Sequence, residues 1–196
     1  MRILIVSDEE SPYIWNRADN FLETIDFTIS CGDLKSEYLR FIVTMSNKPL
    51  FYIHGNHDTH YLKNEPEGCD CIDDRIIEYK GIRMLGLGGC RRYKQGPFQY
   101  TDKEMKRRFK KLKPKLFFNN DIDILVTHSP AKGLGDGSDF VHEGFEVFNT
   151  IIETYKPNYH LHGHNHLNYG NNQRIIKYGE TSIINGHGYY VLEINK

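Results

Sequence analysis

Five times along this chain a short β-branched or aromatic run stops at a cluster of Gly, Asp, Asn or His, and this repeated punctuation limits the fold more than any other feature. Arg2 to Ser7 leads to Asp8, and Phe27 to Ser30 leads to Cys31-Gly32-Asp33. Leu50 to His54 leads to Gly55-Asn56-His57-Asp58, Ile122 to Thr127 leads to His128-Ser129-Pro130, and Tyr159 to His162 leads to Gly163-His164-Asn165-His166. Runs of this length and composition read as strands. Several are followed by helix-like segments, which makes the chain α/β. In such sheets ligands gather beyond the carboxyl ends of the strands, so five polar clusters are expected to converge on one place.

The helix-like segments carry apolar stripes. Leu34, Tyr38, Phe41, Ile42 and Met45 recur at three-and-four spacing and predict a helix over Leu34 to Asn47. Val141, Phe145, Phe148, Ile152 and Tyr155 predict another over Phe140 to Tyr155. From Arg174 to Ile194, short runs divided by Gly179 and by Asn185-Gly186 predict a hairpin-rich second sheet.

A chain of 196 residues that is 39% hydrophobic can bury one substantial core, so a single domain spanning residues 1–196 is expected. The formal net charge of -1 argues against a surface that coats nucleic acid or anionic membrane as a whole. The first apolar run is a few residues long and is followed at once by Asp8, Glu9 and Glu10, which fits neither a signal peptide nor a membrane span. Cys31, Cys69, Cys71 and Cys90 do not form a secreted disulfide framework, and the Cys69-x-Cys71 spacing is shorter than a zinc loop. A cytoplasmic protein is expected.

Histidine is the unusual component: ten in all, four of them between His160 and His166. Collected from the strand ends, Asp8, Glu10, Asp33, Asn56, His128, His164 and His166 offer carboxylates, imidazoles and an amide oxygen, a donor set suited to borderline-hard divalent cations. On an extended segment His164 and His166 point the same way and can serve two neighbouring ions. Asp33, after the tight Gly32 turn, is suited to bridge them. Two adjacent cations lower the pKa of a shared water, bind phosphoryl oxygens and align in-line displacement at phosphorus. His57, next to Asn56, is placed to give the leaving oxygen its proton.

The ordered series Asp8-x-Glu10, Gly32-Asp33, Gly55-Asn56-His57-Asp58, His128 and Gly163-His164-x-His166 resembles the calcineurin-like metallophosphoesterase superfamily, whose blocks run D-x-H, G-D, G-N-H-D/E, H and G-H-x-H. The resemblance implies a four-layer α/β/β/α sandwich of two mixed sheets flanked by helices, with the metal site at the carboxyl ends of the strands. It implies one metal held by Asp8, residue 10, Asp33 and His166, and a second held by Asp33, Asn56, His128 and His164. His57 would be the acid or charge stabiliser. The chain departs from the pattern at Glu10, where the family has His. Either Glu10 ligates, favouring Mn²⁺ or Mg²⁺, or it turns away and the first metal is held weakly. Manganese is the leading expectation for both positions, with Mg, Fe, Zn and Ni as the other candidates.

The expected activity is therefore metal-dependent hydrolysis of phosphomonoesters or phosphodiesters, with a phosphate ester as substrate. One alternative is a binding or scaffold protein that keeps the fold; another is a nuclease using the eight basic residues between Lys103 and Lys115, which otherwise read as the wet face of a helix. Arg91 and Arg92, after Gly86-Leu87-Gly88-Gly89, are candidate phosphate contacts, although the bland reading is a solvated basic turn. His142 is a candidate on a loop that resembles the substrate-side loop of small bacterial members of the family. His60, His160 and His187 read as surface or core histidines, Asn165 as a spacer, and Asp58 as the residue that holds His57 or a turn.

Overall fold

Strand alternation sorts the apolar residues into three cores, and these define four layers. The computed structural model describes residues 1–116, 121–168 and 173–194, with the side chains of 17–19 excepted. In β1 (Arg2–Ser7), Ile3 and Ile5 face a central core while Leu4 and Val6 face an outer one, the period-two pattern of a strand buried on both sides. β9 (Ile124–Thr127) divides likewise, with Ile124 and Val126 in the central core and Leu125 in the other outer one.

The first sheet runs β13 (Gly188–Glu193), β1, β2 (Phe27–Ser30), β3 (Leu50–Tyr52), β4 (Asp70–Cys71). The second runs β11 (Ile175–Tyr178), β12 (Thr181–Asn185), β10 (Tyr159–His162), β9, β6 (Ile82–Leu87), β5 (Arg75–Tyr79). Both are mixed. β1, β2, β3 and β4 are parallel with β13 antiparallel at the edge, and β6, β9, β10 and β12 are parallel between antiparallel β5 and β11. A short pair, β7 (Cys90–Arg91) and β8 (Gln99–Tyr100), stands apart. The two large sheets share the central core of Ile5, Phe27, Ile29, Ile53, Val126 and Leu161.

Helices close the outer faces. α1 (Pro12–Leu22) and α2 (Ser36–Ser46) cover the first sheet through Ile14, Leu22, Tyr38, Leu39 and Ile42. α3 (Asp102–Leu116) and α4 (Glu146–Tyr155) cover the second through Met105, Phe109, Leu112, Phe148 and Ile151. α3 opens on a reciprocal capping box: Thr101 N–H donates to Glu104 Oε2 at 2.8 Å, and Glu104 N–H donates to Thr101 Oγ1 at 3.3 Å. The α/β/β/α sandwich of two mixed sheets is the architecture the motif series implied.

Two expectations about the elements need correction. The helix expected from Phe140 begins only at Glu146, because Asp139 turns the preceding segment by accepting the N–H groups of Val141 and His142. Gly144 lies against the chain at Ala131, where a Cβ would approach the Ala131 carbonyl carbon to 2.5 Å. The C-terminal third makes one hairpin of the second sheet, β11 with β12, and then β13 crosses to the first sheet and pairs with β1. That crossing carries the Gly186-His187 turn alongside the end of β1, where Ser7 bridges to His187.

Because β1, β2 and β3 are parallel, as are β9 and β10, their carboxyl ends emerge along one edge of the sandwich. The core sets that edge: truncating a buried residue such as Ile5 to Ala would cost about 2–5 kcal/mol and loosen the strand end that carries Asp8.

Candidate metal centre

Three of the expected donors sit on backbone that L-residues rarely adopt: Asp8, Asp33 and His164 have φ of 65°, 59° and 67°. Left-handed backbone costs roughly 1–2 kcal/mol per residue and persists where packing imposes it. Here the chain is pinned by glycines. A Cβ on Gly32 would lie 2.3 Å from the Gly55 nitrogen, and one on Gly163 would lie 1.9 Å from Ser7 Oγ and 2.5 Å from Asp8 Oδ2. His164 is therefore not extended, and the expectation that it shares a direction with His166 is corrected: the rings diverge. His164 lies 5.0 Å from the His128 ring centroid, whereas His166 lies 4.6 Å from that of His187.

The first half of the site is buried. Asp33, His128 and His164 each offer a donor atom, and all three atoms lie within 4.8 Å of one another. His128 Nδ1 faces the Cys31 carbonyl at 2.8 Å and must donate to it, since a carbonyl only accepts. Its Nε2 then meets two further oxygens, Asn56 Oδ1 at 3.0 Å and Asp33 Oδ2 at 3.2 Å. The Asn56 amide is oriented by donation from Nδ2 to Tyr93 Oη at 3.4 Å. One imidazole nitrogen between two acceptors needs a positive object, a proton or a cation, and the donor set of carboxylate, amide oxygen and imidazoles suits a divalent metal ion.

The ionisation pattern has the same origin. Burial opposes charge on both Asp33 and His128, but their mutual attraction prevails, holding the Asp33 carboxyl down and the His128 imidazole up. His164 is pushed down to about 3, by burial first and by His128 second. Burial, then the Asp33 charge, pushes Asp58 up to about 6. Asp58 Oδ2 accepts both Asp33 N–H at 2.8 Å and Gly55 N–H at 2.7 Å, tying the two glycine loops together.

The second half is more open. Both Asp8 oxygens accept the His164 N–H, at 3.1 and 3.0 Å, and burial pushes the Asp8 carboxyl up. His166 Nε2 stands 4.0 Å from Asp8 Oδ1. Glu10 is directed elsewhere: Oε2 accepts from Trp15 Nε1 at 3.1 Å and Oε1 lies 3.7 Å from Lys35 Nζ.

In front of both halves lies a cavity of about 440 Å³ whose lining includes Asp8, Glu10, Asp33, Lys35, His57 and His60. His57 donates its backbone N–H to Asp33 Oδ1 at 2.7 Å, and its residue is exposed. His142 reaches the centre, its ring 5.2 Å from that of His164 and its Nδ1 2.8 Å from Asp139 Oδ2. Arg91 and Arg92 are held by acidic groups of their own: Arg91 pairs with Asp102 at 2.8 Å and with Glu143 at 3.4 Å, and Arg92 pairs with Glu104 at 2.9 Å. Lys35, Trp15, Tyr93 and His187 were not singled out in the sequence as site residues. Only His187 carried a signal, one residue past the Asn185-Gly186 turn. Asn165 is an anchor rather than a spacer, its Nδ2 donating to Gly135 O at 2.8 Å and its carbonyl accepting from Asn185 Nδ2 at 2.6 Å.

Comparison with known proteins agrees with this fold. The family model for calcineurin-like phosphoesterases matches residues 1–168, and the chain belongs to that family. A UPF0046 protein of Caenorhabditis elegans is 26% identical over 221 aligned residues, covering 94% of this chain and 74% of that protein. One crystal structure, 14% identical, covers 97% of this chain and 94% of its own with a TM-score of 0.70, which shows a shared fold. Vps29 of Chaetomium thermophilum is 10% identical with a TM-score of 0.48, over 100% of this chain and 82% of that one. Among the described residues no helix is long and apolar enough to cross a membrane.

Proposed function

We propose that this protein hydrolyses phosphomonoesters or phosphodiesters at a binuclear metal centre facing the 440 Å³ cavity. The observation that carries this reading is the convergence of Asp33, His128 and His164 within 4.8 Å, beside Asn56 and Asp8, at the edge of that cavity. Asp33, Asn56, His128 and His164 would hold one cation, and Asp8, Asp33 and His166 would hold the other; Mn²⁺ is the first candidate because oxygen donors are prominent. Bound there, such cations would acidify water and neutralise phosphoryl charge.

The chain's own residues do the rest. Lys35, exposed on the cavity wall, is the cation within reach of a phosphate oxygen. The Asp33 carboxylate fixes the His57 backbone at the cavity wall, from which the imidazole would reach a bound ester. As the oxygen of water bonds to phosphorus, releasing a proton to solvent, and the ester P–O bond breaks, His57 would give the leaving oxygen its proton. Asp58 keeps the two loops that carry Asp33 and His57 in register. The four free thiols support a reducing compartment such as the cytoplasm.

Chelator-treated protein reloaded with Mn²⁺, Mg²⁺, Zn²⁺ or Ni²⁺ and assayed on aryl phosphate mono- and diesters tests the reading. Metal-restored turnover is expected; two bound equivalents without turnover on any ester would overturn it. That outcome would favour the scaffold reading, for which the specific observation is Glu10 turned to Trp15 and Lys35. The nuclease reading gains less, because Arg108 of the basic helix is turned inward onto Asp73 at 2.6 Å and Asp74 at 2.9 Å.

A further inference from the structure

The departure at position 10 leaves the Asp8 side of the centre one imidazole short of the family pattern, and the Glu10 side chain is committed to Trp15 and Lys35. On the same side stands a histidine that the motif series does not include. His187 is 5% exposed, and its Nε2 is buried without a hydrogen-bond partner. That nitrogen lies 3.5 Å from Glu9 Oε2, and the ring stacks at a tilt against His166, 4.6 Å between centroids. His166 in turn faces Asp8.

The backbone holds His187 there. Its N–H donates to Asn185 Oδ1 at 2.9 Å, its carbonyl accepts from Arg174 Nη2 at 3.1 Å, and it bridges to Ser7, the residue before Asp8. Gly186 lets this turn press on β1, since a Cβ there would meet Ile5 Cγ2 at 2.8 Å. This buried imidazole nitrogen makes no hydrogen bond, with the Glu9 oxygen no nearer than 3.5 Å, and buried polar atoms without such partners call for an explanation. A metal ligand is an explanation that also accounts for the loss of His at position 10.

We propose that His187, carried in from the β12–β13 turn, is the imidazole donor of the Asp8 and His166 side of the centre, in place of residue 10. This rests on the metal-centre reading above. The donor would come from near the end of the chain instead of from the D-x-H block, and the Glu9 carboxylate, 3.5 Å from the same nitrogen, would add negative charge beside the cation.

Metal binding, measured without reference to turnover, tests the proposal. Chelator-treated protein is titrated with Mn²⁺ and with Co²⁺, counting equivalents by elemental analysis and following the Co²⁺ absorption bands. Wild type is expected to bind two equivalents. His187→Gln is expected to keep one and to weaken the other by at least about 10-fold, the lower bound set by loss of a mere outer-shell partner, Glu10→Gln to keep both, and Glu10→His placed in the His187→Gln background to restore the second. Loss of an equivalent in Glu10→Gln with none lost in His187→Gln would overturn the assignment. Should His187→Gln not fold, Zn²⁺ titration of wild type labelled with ¹⁵N-histidine decides: a His187 ring nitrogen that does not shift overturns it. A wild type that binds no metal sinks both this and the proposed function, whereas two equivalents without turnover sinks only the function.

Discussion

Around Asp33 the candidate donors are locked by protein before any ligand arrives, whereas around Asp8 they are held from one side only. His128 is wholly buried and fixed through the Cys31 carbonyl, and its neighbours Asn56 and Asp33 are themselves held by Tyr93 and by the His57 and Asp58 loops. His166, by contrast, has a side chain 39% exposed and a 4.0 Å gap to Asp8. The two halves differ because the first lies in the seam between the sheets, where His128 from one reaches Cys31 of the other, while the second lies at the rim. A centre built this way is expected to bind its two ions with unequal affinity, the seam filling first.

The strongest attack on that contrast is at the seam. Asp33→Asn keeps an acceptor for the His57 N–H but removes the charge opposite His128, and is expected to lower turnover by at least about 100-fold and to release metal. His128→Ala should do the same. Ester hydrolysis and elemental analysis on one preparation check this, and near-normal turnover in Asp33→Asn would erase the distinction between the halves.

Removing metal should have the next largest effect. A cation present at 100 times its dissociation constant stabilises the folded chain by about 2.7 kcal/mol, which for a chain of this size is a rise of about 5–10 °C in melting temperature. Calorimetry during stepwise reloading is expected to show most of the rise with the first equivalent. Equal steps would mean that the halves are equally preorganised.

Much of this arrangement was legible in the sequence because strand ends are local signals. Asp8, Asp33, Asn56, His128 and His164 each follow a short apolar run, and parallel pairing brings such ends together whatever the details of packing. The motif order, carried by resemblance, added the four layers. What could not be read depends on contacts between distant segments. Arg91 and Arg92 looked free beside glycines, but acids twelve or more residues away in some cases, and Glu143 in particular, claim them. Glu10 is claimed by Trp15 and Lys35 from two different helical neighbourhoods. His187 reaches the site only because β13 changes sheets, and no periodicity in Arg174 to Ile194 announces that. The left-handed backbone at His164 defeated the extended reading of His164-x-His166.

Away from the seam, acid should loosen the outer face of the second sheet, where His160 packs against Phe148. Burial holds His160 neutral, well below its ordinary range, with Nε2 2.7 Å from Thr127 Oγ1. The unfolded chain takes up that proton near pH 6.5 and the folded chain refuses it. The unfolded state then binds more protons, so this contribution is complete above about pH 6.5 and falls by about 1.4 kcal/mol per pH unit below it. Burial pushes His162 down to about 4, with the same sign, while Asp58, pushed up to about 6, opposes it between about pH 6 and 4. The comparison is therefore made between proteins: denaturant unfolding of metal-free His160→Gln is expected to lose less stability from pH 7 to pH 5 than wild type loses. Parallel curves would show that His160 is not neutral in the fold.

The smallest effect is expected at Glu10, and it is the one that speaks to the rim. Trp15 is the only tryptophan, and its indole N–H donates to Glu10 Oε2, so its fluorescence reports on where that carboxylate points. Glu10→Gln keeps the side-chain shape and an oxygen that can accept from Trp15, but loses the charge facing Lys35. If Glu10 stands outside the centre, this variant should change metal stoichiometry not at all, and turnover by no more than about threefold, the scale of one screened surface ion pair. Tryptophan emission should likewise be indifferent to metal. A metal-dependent shift in wild type that disappears in Glu10→Gln would mean that the carboxylate swings from Trp15 to the cation on loading, and the rim would then be assembled by its ligand, while the seam is assembled by the fold.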